Sequence, residues 1–284
     1  NGDFEFIDIT VKAKVTDEIG WTTGVTMVDI NNDGWLDIYV CKSGSLQSHQ
    51  NRKNKLFINQ KNNTFKESAA SYGLDHFGFS TQAYFFDFDT DGDLDMYLMN
   101  HNPQTFSSQV DREVFSVLGD KFYSNEAGKY VIKTKEVGIF SNSISYGLGL
   151  GVSDLNMDGW PDVYISNDYD ERDYMYLNQK DGTFKEVIRQ ATNHISNFAM
   201  GNDIADFDND GDLDLVMNNI DDVAHIYRNN ATANFIQIKL IGKDVKNKYA
   251  LGSKITITIG DDKQYQELYT SRGFISSISG RIIL

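Results

Sequence analysis

Four copies of one acidic nonapeptide constrain this chain more than any other feature. They read DINNDGWLD at 29–37, DFDTDGDLD at 87–95, DLNMDGWPD at 154–162 and DFDNDGDLD at 206–214. A unit recurring at a period of about 50 to 70 residues demands a fold made of one repeated supersecondary element. Each copy is preceded by a short apolar run (GVTMV, QAYFF, GLGVS, GNDIA) and followed by another (IYVC, MYLM, VYIS, LVMN). The pattern predicts strand, acidic loop, strand.

The first half of each copy spaces oxygen-bearing residues as an EF-hand does, with Gly34, Gly92, Gly159 and Gly211 at the sharp turn. The EF-hand closes with a carboxylate at loop position 12, where these copies carry Val40, Leu98, Ile165 and Met217. Four failures exclude that fold, so the loop lies between two strands and its closing carboxylate is the ninth residue. A third signature follows: NKLFINQKNNTF from Asn54, DKFYSNEAGKY from Asp120, DYMYLNQKDGTF from Asp173 and a shorter AHIYRNN from Ala224. Alternating apolar residues, then Asn or Gly, then an aromatic predict a hairpin between third and fourth strands. Four short strands per repeat predict an all-β chain, a partial β-propeller of four-stranded blades with calcium loops. The opening NGDFEFIDIT repeats the turn and outer strand, so the chain is expected to begin inside a blade. Helical turns are expected only near Phe65 to Tyr72 and Asp111 to Leu118.

The repeats resemble the FG-GAP or VCBS repeats of integrin α-chain propellers and bacterial surface proteins, over residues 1–232. Residues 233–284, through Asn234, Gly252, Gln266 and SRGFISS at Ser271 to Ser277, are similar to the ASPIC/UnbV domain that follows such repeats. This resemblance implies blades over the first span and a small β module over the second. The SISGRIIL ending departs from that family's usual one and leaves the last strand open.

The acidic loops predict four Ca²⁺ ions. Side-chain ligands at positions 1, 3, 5 and 9 would be Asp29, Asn31, Asp33 and Asp37; Asp87, Asp89, Asp91 and Asp95; Asp154, Asn156, Asp158 and Asp162; and Asp206, Asp208, Asp210 and Asp214. The carbonyls of Trp35, Asp93, Trp160 and Asp212 would complete each set, with those side chains turned away. Six or seven oxygens on a flexible loop suit Ca²⁺ better than Mg²⁺, which keeps its waters. The alternative is a set of solvated Asx-rich turns. Four equivalent ions are more economically structural than catalytic. The second and fourth loops, with four carboxylates each, should bind more tightly than the first and third.

The formal net charge of −15 and the lack of a basic patch argue against nucleic acid and anionic membranes as partners. No apolar run is long enough for a membrane span. Calcium dependence would place the chain outside the cytoplasm, secreted or on a cell surface, outer-membrane-associated in a bacterium. Cys41 is the one cysteine, so no intrachain disulfide forms; its place after Tyr39 and Val40 predicts a buried thiol. The five histidines show no metal or catalytic spacing, and His101 is the best base candidate among them.

In a propeller, second-to-third-strand loops and inter-blade connections share the face away from the acidic loops. Here those segments are HNPQTFSSQ at 101–109, NDYDERD at 167–173, and connections bearing Trp21, Phe77, Phe79, Tyr146 and Phe198. Trp21, Phe79, His101 and Tyr169 are the candidate ligand contacts, since aromatics beside amides and carboxylates suit a sugar or peptide. The alternative use of those aromatics is to seal gaps between blades. Two functions follow: a non-enzymatic, calcium-stabilised extracellular module binding a polysaccharide or surface protein, or a lyase-like polysaccharide-active enzyme using His101 and a nearby tyrosine.

Overall fold

Each acidic nonapeptide is the turn between the first two strands of an antiparallel sheet in the computed structural model, which describes residues 6–17, 19–44, 48–103, 117–169, 171–196, 198–232, 235–243, 250, 252–260, 262–268, 271–273, 276–277 and 281–283. The first sheet runs β1 (Trp21–Val28), β2 (Asp37–Ser43), β3 (Lys55–Asn59), β4 (Phe65–Glu67) in that order. The second repeats it with β5 (Ser80–Phe86), β6 (Asp95–Asn100), β7 (Lys121–Glu126) and β8 (Lys129–Ile132). The third has β9 (Gly147–Ser153), β10 (Asp162–Asn167), β11 (Tyr174–Asn178) and β12 (Phe184–Glu186). The fourth has three strands, β13 (Ala199–Ala205), β14 (Asp214–Asn219) and β15 (His225–Tyr227). Among the described residues no outer strand follows its shortened AHIYRNN segment.

Register repeats as strictly as sequence. The pair closing each acidic turn is Val28 with Asp37, Phe86 with Asp95, Ser153 with Asp162 and Ala205 with Asp214. A bulge lies at the far end of every such pair of strands, which sharpens the twist the blade needs. The middle strands β6 and β10 are buried along their whole length, which is why they read as nearly continuous apolar runs. They are covered on both faces because the core lies between blades. One apolar cluster joins the first and second sheets through Tyr39, Leu56, Phe85 and Tyr123. A second joins the second and third through Phe86, Phe122, Tyr176 and Phe184. A third joins the third and fourth through Tyr164, Ile204 and Met217.

Inner strands of successive blades come close enough that side chains must be omitted. A Cβ on Gly24 would stand 2.2 Å from the Thr81 carbonyl of the next blade. Thr26 Oγ1 donates to the Ala83 carbonyl at 2.8 Å, and Thr81 Oγ1 to that of Gly147 at 3.1 Å, stitching β1 to β5 and β5 to β9.

The C-terminal segment is built into this arrangement. β16 (Gln237–Lys239) pairs with β21 (Arg281–Ile283), and β17 (Lys254–Ile259) with β18 (Asp262–Glu267). Between them, β19 (Ser271–Gly273) and β20 (Ser276–Ser277) form a hairpin that adds to β9 through Gly273 and Gly149 and extends the third sheet to six strands. β19 also lies against β1 and β5, and β20 against β13. Residues 271–273 and 276–277 therefore sit where the inner strands converge, and residues 281–283 form a strand despite their atypical ending.

Local departures from expectation have local causes. Residues 6–9 form no strand, and Thr10–Ala13 is one helical turn closed by Lys14 at φ 62°. It corresponds in sequence to the turns Ala69–Tyr72 and Ile188–Ala191, which follow the last strand of the first and third blades. The stretch Phe65 to Tyr72 is thus half strand, half helix. The turn expected over Asp111 to Leu118 lies outside the described residues up to 116, as does Asn234.

A buried clamp joins second and third strands in three blades. Tyr97 Oη donates to Asp120 Oδ2 at 2.8 Å and Tyr164 Oη to Asp173 Oδ2 at 2.9 Å, while Asn54 Nδ2 donates to Tyr39 Oη at 3.0 Å. The fourth blade has Val216 and Ala224 at these places, losing both partners together. Tyr97→Phe strands the buried Asp120 carboxylate without this donor and should cost about 1–3 kcal/mol in denaturant unfolding. An unchanged unfolding midpoint would show that the hydroxyl carries no net stabilisation.

Candidate metal sites and the opposite face

The four acidic loops share one backbone path. Position 6 glycines have φ of 85°, 94°, 89° and 102°, and the fourth residues Asn32, Thr90, Met157 and Asn209 are also left-handed, at 54°, 60°, 56° and 61°. Thr90 and Met157 take a conformation that costs free energy for non-glycine residues, so the surrounding contacts hold it. Those contacts come from the carboxylates. Asp29 accepts from the N–H groups of Asp33 and Gly34 at 2.9 and 2.7 Å, and Asp154 from those of Asp158 and Gly159 at the same distances. Asn31, Asp89, Asn156 and Asp208 accept from the N–H two residues on, as do Asp33, Asp91, Asp158 and Asp210.

The ninth residue does something different. Asp37, Asp95, Asp162 and Asp214 are buried, and one oxygen of each accepts from the second residue of its own loop: Ile30, Phe88, Leu155 and Phe207, at 3.2, 3.1, 2.9 and 3.0 Å. The other oxygen accepts from Asn59, Asn125, Asn178 and Asn229 at the end of the third strand, at 2.7, 2.9, 2.9 and 2.8 Å. Two of those asparagines reach the preceding blade, Asn178 Nδ2 donating to Phe88 O at 2.9 Å and Asn229 Nδ2 to Leu155 O at 2.8 Å. The ninth carboxylate is therefore the joint of the blade as well as a candidate ligand. Sequence reasoning missed these asparagines, although each copy has one in the third signature.

Burial dominates the electrostatics of these groups. It pushes Asp95 and Asp162 up to about 8, Asp87 to about 7 and Asp37 to about 6, from an ordinary 3.8. Neighbouring carboxylates add to the rise in every case.

The loops differ in where positive charge reaches them. Lys254 of the C-terminal segment places Nζ 2.7 Å from Asp29 Oδ2 and 2.7 Å from Asn32 Oδ1, and Lys61 stands 3.4 Å from Asp33. Lys180 is 3.5 Å from Asp158 in the third loop, and Arg228 3.9 Å from Asp208 in the fourth. Among the described residues no basic side chain bridges the second loop, where Ala127 occupies the hairpin turn that holds Lys61 and Lys180 in its neighbours. There Asp87, Asp89 and Asp95 each bring a carboxylate oxygen within 4.8 Å of the others; Asp206, Asp208 and Asp210 do so in the fourth loop. Asp87 Oδ1 is buried with no hydrogen-bond partner, which is the mark of a carboxylate that fits a cation. At position 7, Trp35 is exposed, whereas Asp212 is buried with both carboxylate oxygens unpartnered, beside Gly211 on which the Phe235 ring lies.

On the opposite face the expected contacts fall into two groups. Trp21 is 72% exposed and packs beside Gly44. Tyr146 and Tyr169 meet edge to face at 4.8 Å, and the His101 ring lies 5.0 Å from Tyr146. Phe79 is a correction: it is fully buried, with the Arg52 guanidinium 4.2 Å over its ring and His101 edge-on at 6.0 Å, so it seals a gap and offers no face to a ligand. His101 is held well below the ordinary histidine value, at about 4, because it is buried. Its Nε2 lies 3.3 Å from Ser43 Oγ, and Nδ1 is buried without a partner among the described residues. Residues 104–109 and Asp170 of the two loops lie outside the described residues. Cys41 is buried, and burial pushes its thiol well above the ordinary value.

The histidines add a contact that the sequence did not suggest. His194 and His225, far apart in sequence, meet with ring centroids 4.4 Å apart, and Asp222 joins them. Sequence spacing could not show this, because one comes from an inter-blade connection and the other from a strand.

Comparison with known proteins agrees with the repeat architecture. The FG-GAP-like repeat family matches residues 45–98 and 154–217, which contain the second, third and fourth acidic loops, and the ASPIC and UnbV family matches residues 243–284. No curated protein matches the chain. Among solved structures, an Agrocybe aegerita lectin specific for non-reducing terminal N-acetylglucosamine is 17% identical, with a TM-score of 0.36 over 67% of this chain and 45% of its own. A Bacillus licheniformis rhamnogalacturonan lyase is 13% identical, with a TM-score of 0.38 over 68% of this chain and 39% of its own. The chain spans less than half the length of either. Matched in its repeats and in its C-terminal segment, it is an FG-GAP-like repeat protein with a C-terminal ASPIC and UnbV domain.

Proposed function

We propose that this chain is a calcium-stabilised binding module of the cell exterior, non-enzymatic, engaging a polysaccharide or a surface protein through the face away from its acidic loops. The observation that carries the reading is the second loop: converging carboxylates, one of them with a buried, unpartnered oxygen, and, among the described residues, no basic side chain that bridges them. In each loop the side chains at positions 1, 3, 5 and 9 and the seventh carbonyl would hold one Ca²⁺. The ion supplies the positive charge that lets these carboxylates stay ionised in a tight turn. The compartment follows from mass action, since such sites fill where calcium is millimolar. On the opposite face Trp21, Tyr146 and Tyr169 are the aromatic contacts, and His101, buried beside Ser43, packs behind them. Among the described residues no helix is long and apolar enough to cross a membrane.

Binding is tested by a glycan array on the calcium-loaded protein with a chelated control. Signal lost on Trp21→Ala or Tyr169→Ala at unchanged melting temperature supports the face; signal indifferent to both rejects it.

Stability should respond to calcium with a sign that depends on pH. Without a cation, Asp87, Asp95 and Asp162 have folded-state values raised to about 7, 8 and 8. Their contribution is then fully present below the unfolded value near 4 and is lost as pH rises through 7 to 8. With calcium bound the same carboxylates are held ionised, their folded values are depressed, and stability is lost as pH falls. Melting temperature in EDTA should fall between pH 5 and 8, while in millimolar calcium it should not. Parallel curves would contradict the reading. A micromolar site in millimolar calcium contributes about 4 kcal/mol.

Affinities should differ among loops. Asp91→Ala is the informative variant, because Asp91 is exposed whereas Asp95 also holds two backbone N–H groups. It should remove one calcium from the calorimetric stoichiometry. Lys254→Ala should tighten the first site by removing a competing ammonium, and an unchanged first site would show that Lys254 does not compete.

A further inference from the structure

The open edge of the fourth blade carries a cluster that the calcium reading does not use. His194 lies in the connection that follows Ile188–Ala191, Asp222 in the loop between β14 and β15, and His225 at the start of β15. All three are on the face away from the acidic loops. Each can offer one donor atom, and these atoms lie within 4.8 Å of one another.

Every member is held by a contact that leaves a donor atom free. Asp222 Oδ1 accepts from the Val223 N–H at 2.7 Å, which leaves Oδ2 facing His225 Nε2 at 3.9 Å. On its other side the His225 ring is set by Asn219, whose Nδ2 is 3.3 Å from Nδ1 and which is itself bonded to Ser196. The His194 carbonyl accepts from Thr192 Oγ1 at 2.8 Å and Tyr227 Oη at 3.4 Å, so its backbone is fixed from both strand and connection. The tied carboxylate is a support of the kind a metal site needs, whereas the Asn219 amide donates to His225 Nδ1, so ligation through Nε2 moves the ring proton to Nδ1 and gives up that contact.

We propose that His194, Asp222 and His225 form a site for a divalent first-row transition metal of the Zn²⁺ class, separate from the acidic loops. Two imidazoles and one carboxylate are borderline donors that favour Zn²⁺, Ni²⁺, Cu²⁺ or Fe²⁺, whereas Ca²⁺ takes oxygen ligands. Bonds of about 2.1 Å put donors around one ion roughly 3 to 3.5 Å apart, so the cluster closes by about an ångström on binding. His194 and Asp222 are exposed, so the rotamer change meets no packing. Three protein ligands leave a position open to water or to a donor from a bound partner.

The test uses the whole chain in millimolar calcium, so that the oxygen-only loops are occupied, and titrates Zn²⁺ by calorimetry and Co²⁺ by its visible absorption. One equivalent should bind with micromolar affinity. His194→Ala and His225→Ala should each weaken it at least tenfold and remove the cobalt band, Asp222→Asn should weaken it less, and His49→Ala should change nothing. Far-UV circular dichroism checks each variant's fold; if His225→Ala unfolds, His194→Ala decides. Zinc affinity equal in wild type and both histidine variants would overturn the proposal, as would no binding of either metal.

Discussion

A carboxylate is buried at the start of the second strand of every blade, and the rest of the structure is arranged around it. Asp37, Asp95, Asp162 and Asp214 each bond the second residue of the acidic loop with one oxygen and the end of the third strand with the other. One side chain thus fixes the loop and ties it to a strand that is not its neighbour in sequence. Desolvating an anion is expensive, and two backbone N–H groups offset only part of that cost. The upward pKa shifts of Asp37, Asp95 and Asp162 register the remainder. A cation beside the carboxylate is the natural compensation, which links the fold to the proposed calcium binding.

The same constraint explains why the blades are alike but not interchangeable. The hairpin between third and fourth strands carries Lys61 and Lys180 to the first and third loops, which have an amide at position 3 and three carboxylates. The second loop has four carboxylates and Ala127 in the hairpin. The loop with more carboxylates is thus the one without a hairpin cation, so protein charge offsets the anions of the first and third loops in part and leaves those of the second to another cation. Lys254 extends this to the C-terminal segment, whose contact with the first loop joins the two ends of the described chain.

Much of this was legible in the residues. The nonapeptide set strand register, since its ninth position has to face its second residue, and the glycines marked the turn. The Tyr97 and Asp120 clamp was not read from the residues, although Val216 and Ala224 lose both halves in one blade. What was not legible depends on contacts between distant segments. Phe79 looked like an exposed aromatic in an inter-blade connection, and only the neighbouring Arg52 and His101 show that it is enclosed. The insertion of Ser271–Gly273 beside β9 is a backbone pairing between glycines, which carries no side-chain pattern to read. The histidine cluster likewise joins two blade elements that no local spacing connects.

The most direct measurement of the central claim is an anomalous difference map from crystals grown in calcium. The account predicts a peak in each of the four acidic loops, strongest in the second, with Asp87, Asp89, Asp91 and Asp95 around it. A second loop without a peak, its carboxylates bonded only to backbone and water, would contradict it.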